Sequence, residues 1–286
     1  MKVLLVIPPF SQINTPYPSC LQLSGFLRSK GIEAGTFDLS LASALKIFSR
    51  AGLEKVFSCI SGSEDETVKR ALALKDKYIS TIDPVINFLQ GKNPNLAYRI
   101  VQDGFLPQGN AFSKDSDEKN AFGYFSLQDK ARYYSSLLID DITDLIGKTV
   151  TPYFRLSRYA EKLAQSPPYF DPLLNELKRP VNLIEEMMLE ELKKEIEFFH
   201  PQVIGFTIPF PGNLLGALIS ANFIKSNYPA IKIVFGGGYI NTELRTLRDE
   251  RIFDYTDYIT YDDGELPLLN IIRNLKGEGS QFVRTL

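Results

Sequence analysis

Two runs decide the fold: 201-PQVIGFTIPFPG-212 and 231-IKIVFGGGY-239, with a helical stretch between them. Val203–Thr207 is apolar and β-branched, and Pro209 and Pro211 close it. Asn213–Asn227 carries Leu214, Leu215, Leu218, Ile219 and Phe223 at helical spacing. Ile231–Phe235 is a second apolar run, ended by Gly236, Gly237 and Gly238. Strand, helix and strand in this order predict one βαβ unit with two buried parallel strands. Ligands of open parallel sheets bind beyond the carboxyl ends of the strands. Thr207–Asn213 and Gly236–Thr242 are therefore the first candidate positions.

The start of the chain repeats the pattern. Lys2–Ile7 (KVLLVI) predicts a central strand stopped by Pro8 and Pro9. Cys20–Lys30 predicts a helix capped by Gly31, and Ile32–Phe37 predicts a second strand. From Leu41 to about Phe199 only helical spacing follows, at Ala42–Ile60, Glu66–Leu89, Gln128–Ile146, Arg155–Ala164 and Val181–Phe199. Gly104–Phe125 has no period and reads as an exposed loop. Glu243–Asp249 reads as a short helix, Tyr258–Tyr261 as a fifth strand and Leu266–Leu275 as a last helix. Right-handed crossovers then predict an α/β fold: a five-stranded, doubly wound parallel sheet of flavodoxin-like, Rossmann-like order 2-1-3-4-5. Residues 1–40 and 201–280 form this domain, 41–200 is a helical insertion, and 281–286 is the start of a linker. The switch point lies between strands one and three, so the loops Pro8–Ser19 and Ile208–Asn213 are expected to form the crevice.

The composition excludes several classes. Net charge is −2, which gives no field for nucleic acid or an anionic membrane. Met1–Pro9 is too short for a signal h-region, and no apolar run is long enough to span a bilayer. A cytoplasmic protein is expected. Cys20, Cys59 and His200 cannot make a zinc or iron–sulfur site between them. His200 falls at the amino end of strand three, the wrong edge for a site.

Each motif admits two readings. The glycine triplet either lets a ligand approach the backbone or makes a tight turn needing φ > 0. It is not GxGxxG, and no P-loop lysine follows strand one. Thr207 is either a ligand hydroxyl or an ordinary strand residue. Pro8, Ser11, Asn14 and Thr15 lie on a stiff loop that is either a binding wall or a solvated connection. Asp262-Asp263-Gly264-Glu265 opens the last helix, where carboxylates suit the dipole. Asp38 ends strand two, where an acid can meet a ribose. The insertion's aromatics (Tyr124, Phe125, Tyr133, Tyr134, Tyr153, Phe154, Tyr159) read as core or as the floor of a pocket for a flat ligand.

Four segments together resemble the N-terminal cobalamin-binding domain of cobalamin-dependent radical S-adenosylmethionine enzymes. They are KVLLVIPP with TPYPSCLQLSGFLRSKGIEAGTFD, PQVIGFTIPF with Thr207, IKIVFGGGY, and YITYDDGELPLLNIIRNLKG with its GE turn. The resemblance covers about residues 1–40 and 201–280. It implies a corrin across the carboxyl edge with its nucleotide arm in the crevice. The cofactor-binding set it points to is Pro8, Ser11, Asn14, Thr15, Thr207, Pro209, Asn213, Gly236, Gly237, Gly238, Asp263 and Glu265. The DxHxxG signature is absent from Pro8–Leu23, so cobalt would receive no histidine from that loop. The CxxxCxxC motif is also absent, and is expected beyond Leu286 in a longer enzyme. The 4Fe-4S cluster and S-adenosylmethionine would then belong to a C-terminal radical domain, the expected partner. The expected role is a cobalamin-binding module, not catalytic alone, in an enzyme of methyl transfer or ring formation. The competing expectations are a degenerate domain that docks or caps a substrate, and a flavodoxin-like binder of a small ligand. The first loop has no phosphate cradle for flavin mononucleotide.

Overall fold

The computed structural model describes residues 1–11, 13, 16–113, 126–156, 170–246 and 249–286. The helix expected at 155–164 and the aromatics Tyr124, Phe125 and Tyr159 lie mostly or wholly outside these residues.

Five parallel strands form one sheet in the order β2-β1-β3-β4-β5, as expected. They are β1 (Lys2–Ile7), β2 (Glu33–Asp38), β3 (Val203–Thr207), β4 (Lys232–Gly236) and β5 (Tyr258–Ile259). β3 is buried along its whole length, which its uninterrupted apolar character requires. Alternation splits the sheet into two faces. Val3, Leu5, Ile7, Val203 and Val234 pack with Cys20 and Leu27 of helix Ser19–Ser29 and Leu268, Leu269, Ile271 and Ile272 of helix Glu265–Leu275. The opposite face carries Phe206 and Phe235, whose rings meet edge to face at 5.9 Å. Right-handed crossover places helix Leu214–Asn227 on that side. It buries Leu214, Leu215, Leu218, Ile219 and Ile224, because its sequence is apolar nearly all round.

The chain divides into two compact units. One takes in residues 1–44, 155–181 and 185–286, and the other 45–154 and 182–184. Helix Leu183–Phe199, counted from sequence with the insertion, runs mainly in the sheet-bearing unit. The reason is topological: parallel strands two and three need a crossover, and this helix leads straight into β3. Its last residue packs on β2, where a Cβ at Gly35 would meet the Phe199 ring at 2.8 Å. The Lys2 ammonium stands 5.4 Å over the same ring.

In the second unit the expected long helices break. Ala42–Ile60 becomes Leu39–Ile47 and Arg50–Ser58, because Ser49 Oγ accepts from Gly52 N at 3.0 Å and starts a new helix. Glu66–Leu89 divides at Leu74. The stretch expected to be an exposed loop is also corrected where it is described. Leu106 and Gly109 are buried and Asn110–Ser113 is helical. Its anchor is the buried Asp141 of helix Leu127–Thr149. That carboxylate accepts from Ala111 N at 2.7 Å, Gly109 N at 3.0 Å and the Tyr78 hydroxyl at 3.2 Å. Asp141→Ala removes the acceptor of all three donors at once. It is expected to cost about 3 kcal/mol in urea unfolding, with Asp141→Asn costing less. Equal stability of the alanine variant would contradict this anchoring.

Candidate functional site

Every strand of a parallel sheet points its carboxyl end the same way, and this sheet has its groove there. On the face shared with helices Ser19–Ser29 and Glu265–Leu275, Gly205, Thr207 and Gly236 occupy the carboxyl halves of β3 and β4. Two lack a side chain and the third is small, which leaves space between these strands and the two helices. A cavity of about 200 Å³ results. Leu5, Gly205, Thr207, Val234, Gly236 and Thr260 form its floor. Ser19, Gln22 and Leu23 line one wall, and Asp263, Gly264, Glu265 and Leu268 the other. A hollow of this size suits a small flat group.

Both helices begin at the groove, so their N-terminal amides surround it. Neither has a side-chain N-cap among the described residues. Gln22 Nε2 donates to Glu265 Oε1 at 2.8 Å and ties the two walls together.

Cys20 lies behind Thr207, donating to its hydroxyl at 3.5 Å. Burial pushes this thiol up to about 11 from an ordinary 9.0, against the pull of side-chain hydrogen bonds with Thr207 and Ser19. It is an inert thiol, not a nucleophile. The folded pKa is the higher one, so the thiol's contribution is complete below pH 9.0 and lost as pH rises through 11. Cys20→Ala is therefore expected to lose less stability than the parent chain between these pH values in parallel urea titrations. Matching losses would show that the thiol is not the group titrating.

The twelve sequence-derived positions separate. Thr207, Gly236, Gly237, Asp263 and Glu265 come together around the groove. Asn14 and Thr15 lie outside the described residues. The sequence expectation is a crevice between the loops after β1 and β3; among the described residues those loops meet at Pro8, Pro9, Asn213 and Gly216. Asn213, fully buried, donates from Nδ2 to Pro8 O at 2.8 Å. A Cβ at Gly216 would stand 2.3 Å from Pro9 O, so helix Leu214–Asn227 rests directly on that loop. Pro8 and Asn213 are thus spent on each other. Pro209 is buried, and its carbonyl lies 3.2 Å from where a Gly238 Cβ would be. Ser11 N donates to Ser40 Oγ at 2.8 Å, which pins the first loop to helix Leu39–Ile47. Asp38 accepts from Leu41 N at 2.8 Å and caps the same helix.

Sequence reasoning missed Gly205, Thr260 and Gln22, while Ser19 ends the first loop that it named as part of the crevice. Only Gly205 carried a signal, as a glycine inside an otherwise apolar central strand. His200 has a φ of 53° at the amino end of β3, away from the groove. Among the described residues, no group of three His, Cys, Asp or Glu side chains can hold a metal ion. No helix among them is long and apolar enough to cross a membrane. Comparison with protein-family models, curated proteins and solved structures gives no match for this chain.

Proposed function

We propose that this chain is a cobalamin-binding module that receives the flat base of the nucleotide arm in the groove between helices Ser19–Ser29 and Glu265–Leu275. One observation carries the reading. The carboxyl ends of β3 and β4 are floored by Gly205 and Gly236 where a packed sheet would place bulk, which leaves a hollow beside the N-termini of the two helices. The donor set suits a mostly neutral heterocycle. Thr207 and Thr260 supply small hydroxyls at the floor, Ser19 and Gln22 supply polar atoms on the wall, and Leu5, Leu23 and Leu268 supply apolar contact. The cavity's size keeps the corrin outside, against the carboxyl edge. Bound there, cobalamin supplies cobalt-centred methyl or radical chemistry. The residues of this chain bind and orient it and offer cobalt no histidine from the first loop. An iron–sulfur cluster and S-adenosylmethionine need cysteines in a spacing this chain lacks, and we assign them to a radical domain acting as partner.

The test is titration with hydroxocobalamin, followed by visible absorbance and equilibrium dialysis. Saturable binding of one corrin per chain is expected. Retention no greater than that of an unrelated protein would reject the reading. Cobinamide, which has no nucleotide arm, is expected to bind at least about tenfold more weakly, as loss of a buried anchor requires.

A further inference from the structure

One short segment, residues 280–286, joins three parts of the groove from behind. It leaves helix Glu265–Leu275 through Gly277 and Gly279, whose φ values are 80° and 66°. It then runs back along β5, antiparallel to it. Leu286 N donates to Ile259 O at 2.9 Å, Ile259 N to Leu286 O at 3.0 Å and Tyr261 N to Arg284 O at 2.9 Å. Thr285 forms an antiparallel bridge with Thr260, a residue of the groove floor. Asn270 and Asn274 of the wall helix grip the other end, donating from Nδ2 to Gln281 O at 2.9 Å and to Ser280 O. Arg284 Nε lies 3.4 Å from Oδ2 of Asp262, at the start of the turn that carries Asp263 and Gly264. Floor, turn and wall helix are all tied to this one segment.

The attachment is shallow. Phe282 and Leu286 are 47% and 56% exposed, and Phe282 meets only the edge strand, with its ring 5.8 Å from that of Tyr258. The pair between Arg284 and Asp262 is open to solvent, where an ion pair contributes little. Both of its residues have positive φ, 51° and 57°, a strain that the attached state carries. Gly279 has no atom within 4 Å of where a Cβ would stand, so the segment has room to swing there. Few buried contacts and few hydrogen bonds put a segment at the low end of local stability. We propose that residues 280–286 are a strap whose docking and whose groove's occupancy reinforce each other. Docked, the strap fixes Thr260, the turn at Asp262 and the wall helix against one another. Released, it leaves floor and wall free to shift, so a ligand that touches both binds the docked state more tightly. By linkage the same ligand holds the strap down. An empty groove would then uncover the N–H and C=O groups of the β5 edge more often than a filled one. The inference takes the groove as a ligand site and does not depend on that ligand being cobalamin.

The experiment follows amide hydrogen exchange across the whole chain, first without ligand. Leu286→Pro removes the donor to Ile259 O at an exposed position. Exchange at Ile259 and Tyr261 is expected to rise about fivefold. Leu268 N, which donates to Gly264 O at 3.0 Å in the first turn of the wall helix, should rise with them, while the amides of β3 keep the parent's rates. Faster exchange at Ile259 and Tyr261 with Leu268 unchanged overturns the strap's hold on the groove. Arg284→Gln leaves every backbone donor in place. It is expected to move the same amides about twofold, and guards against a proline variant that folds poorly. Hydroxocobalamin is the probe for a filled groove. It is expected to slow exchange at Tyr261 and Leu286 about fivefold, and to bind Leu286→Pro about fivefold more weakly than the parent. Corrin binding that leaves exchange at Leu286 unchanged keeps cobalamin and rejects the strap. No corrin binding, with Leu268 following the strap in the ligand-free comparison, keeps the strap and rejects cobalamin.

Discussion

Replacing Gly237 with alanine is expected to destabilise the sheet-bearing unit by about 3 kcal/mol or more. Two costs combine. Gly237 has φ of +114°, where side chains are strained whatever the space around them. There is also no space. A Cβ would stand 2.6 Å from Ile208 O and 2.7 Å from Ile208 N. Those two atoms cannot retreat, because both are in use. Ile208 N donates to Gly236 O at 2.7 Å, and Tyr239 N donates to Ile208 O at 3.1 Å. The turn after β4 is thus stitched to the residue after β3 by two backbone hydrogen bonds, with Gly237 between them. Urea unfolding of the variant should show a lower midpoint with a similar slope. A midpoint within experimental error of the parent would mean that the stitch is absent in solution.

This splits the glycine triplet. The turn reading suits Gly237, whose conformation and contacts are structural. The open-approach reading suits Gly236, whose hydrogen faces the groove and whose Cβ would meet Thr260 Oγ1 at 2.7 Å. Gly238 opens the short helix Gly238–Asn241. A string of three letters could not divide these roles, because each depends on a partner far away in sequence.

The sheet was legible for the opposite reason. KVLLVI, VIGFT and KIVFG state their burial in their own composition, and right-handed crossovers between parallel strands leave few topologies. The groove's position was not legible. The switch-point rule pointed to the loops after β1 and β3. Asn213 bonds Pro8 O across 205 positions and closes them, which no local pattern records. The opening moved to the shared face of β3 and β4, where small side chains leave room. The anchor at Asp141 was equally hidden. It sits on a helix whose neighbouring positions, Asp140 and Asp144, carry the same residue type, and only packing distinguishes the buried one. The final run, read as the start of a linker, pairs with the end of β5 and covers part of that edge.

Gly205→Val separates what the fold needs from what the groove needs. A glycine inside a central strand costs about 0.5–1 kcal/mol relative to alanine, so β3 would be sturdier with a branched residue there. The position tolerates one. φ is ordinary, and the only atom within reach of a new Cβ is Leu5 Cδ2 at 3.0 Å, the end of a side chain that can turn. Stability is therefore expected to stay within about 1 kcal/mol of the parent. Binding is expected to behave otherwise. The valine side chain would occupy the centre of the floor, between Thr207 and Val234, where the flat group must lie. Overpacking a preformed pocket by this amount costs about 1–3 kcal/mol, or roughly ten- to hundred-fold in affinity for hydroxocobalamin. Gly205→Ala should fall between the two, and guards against a valine variant that folds poorly. A well-folded Gly205→Val chain that binds hydroxocobalamin as tightly as the parent would mean that the corrin's arm does not enter this groove. The glycine would then have to be explained by something other than the space it leaves.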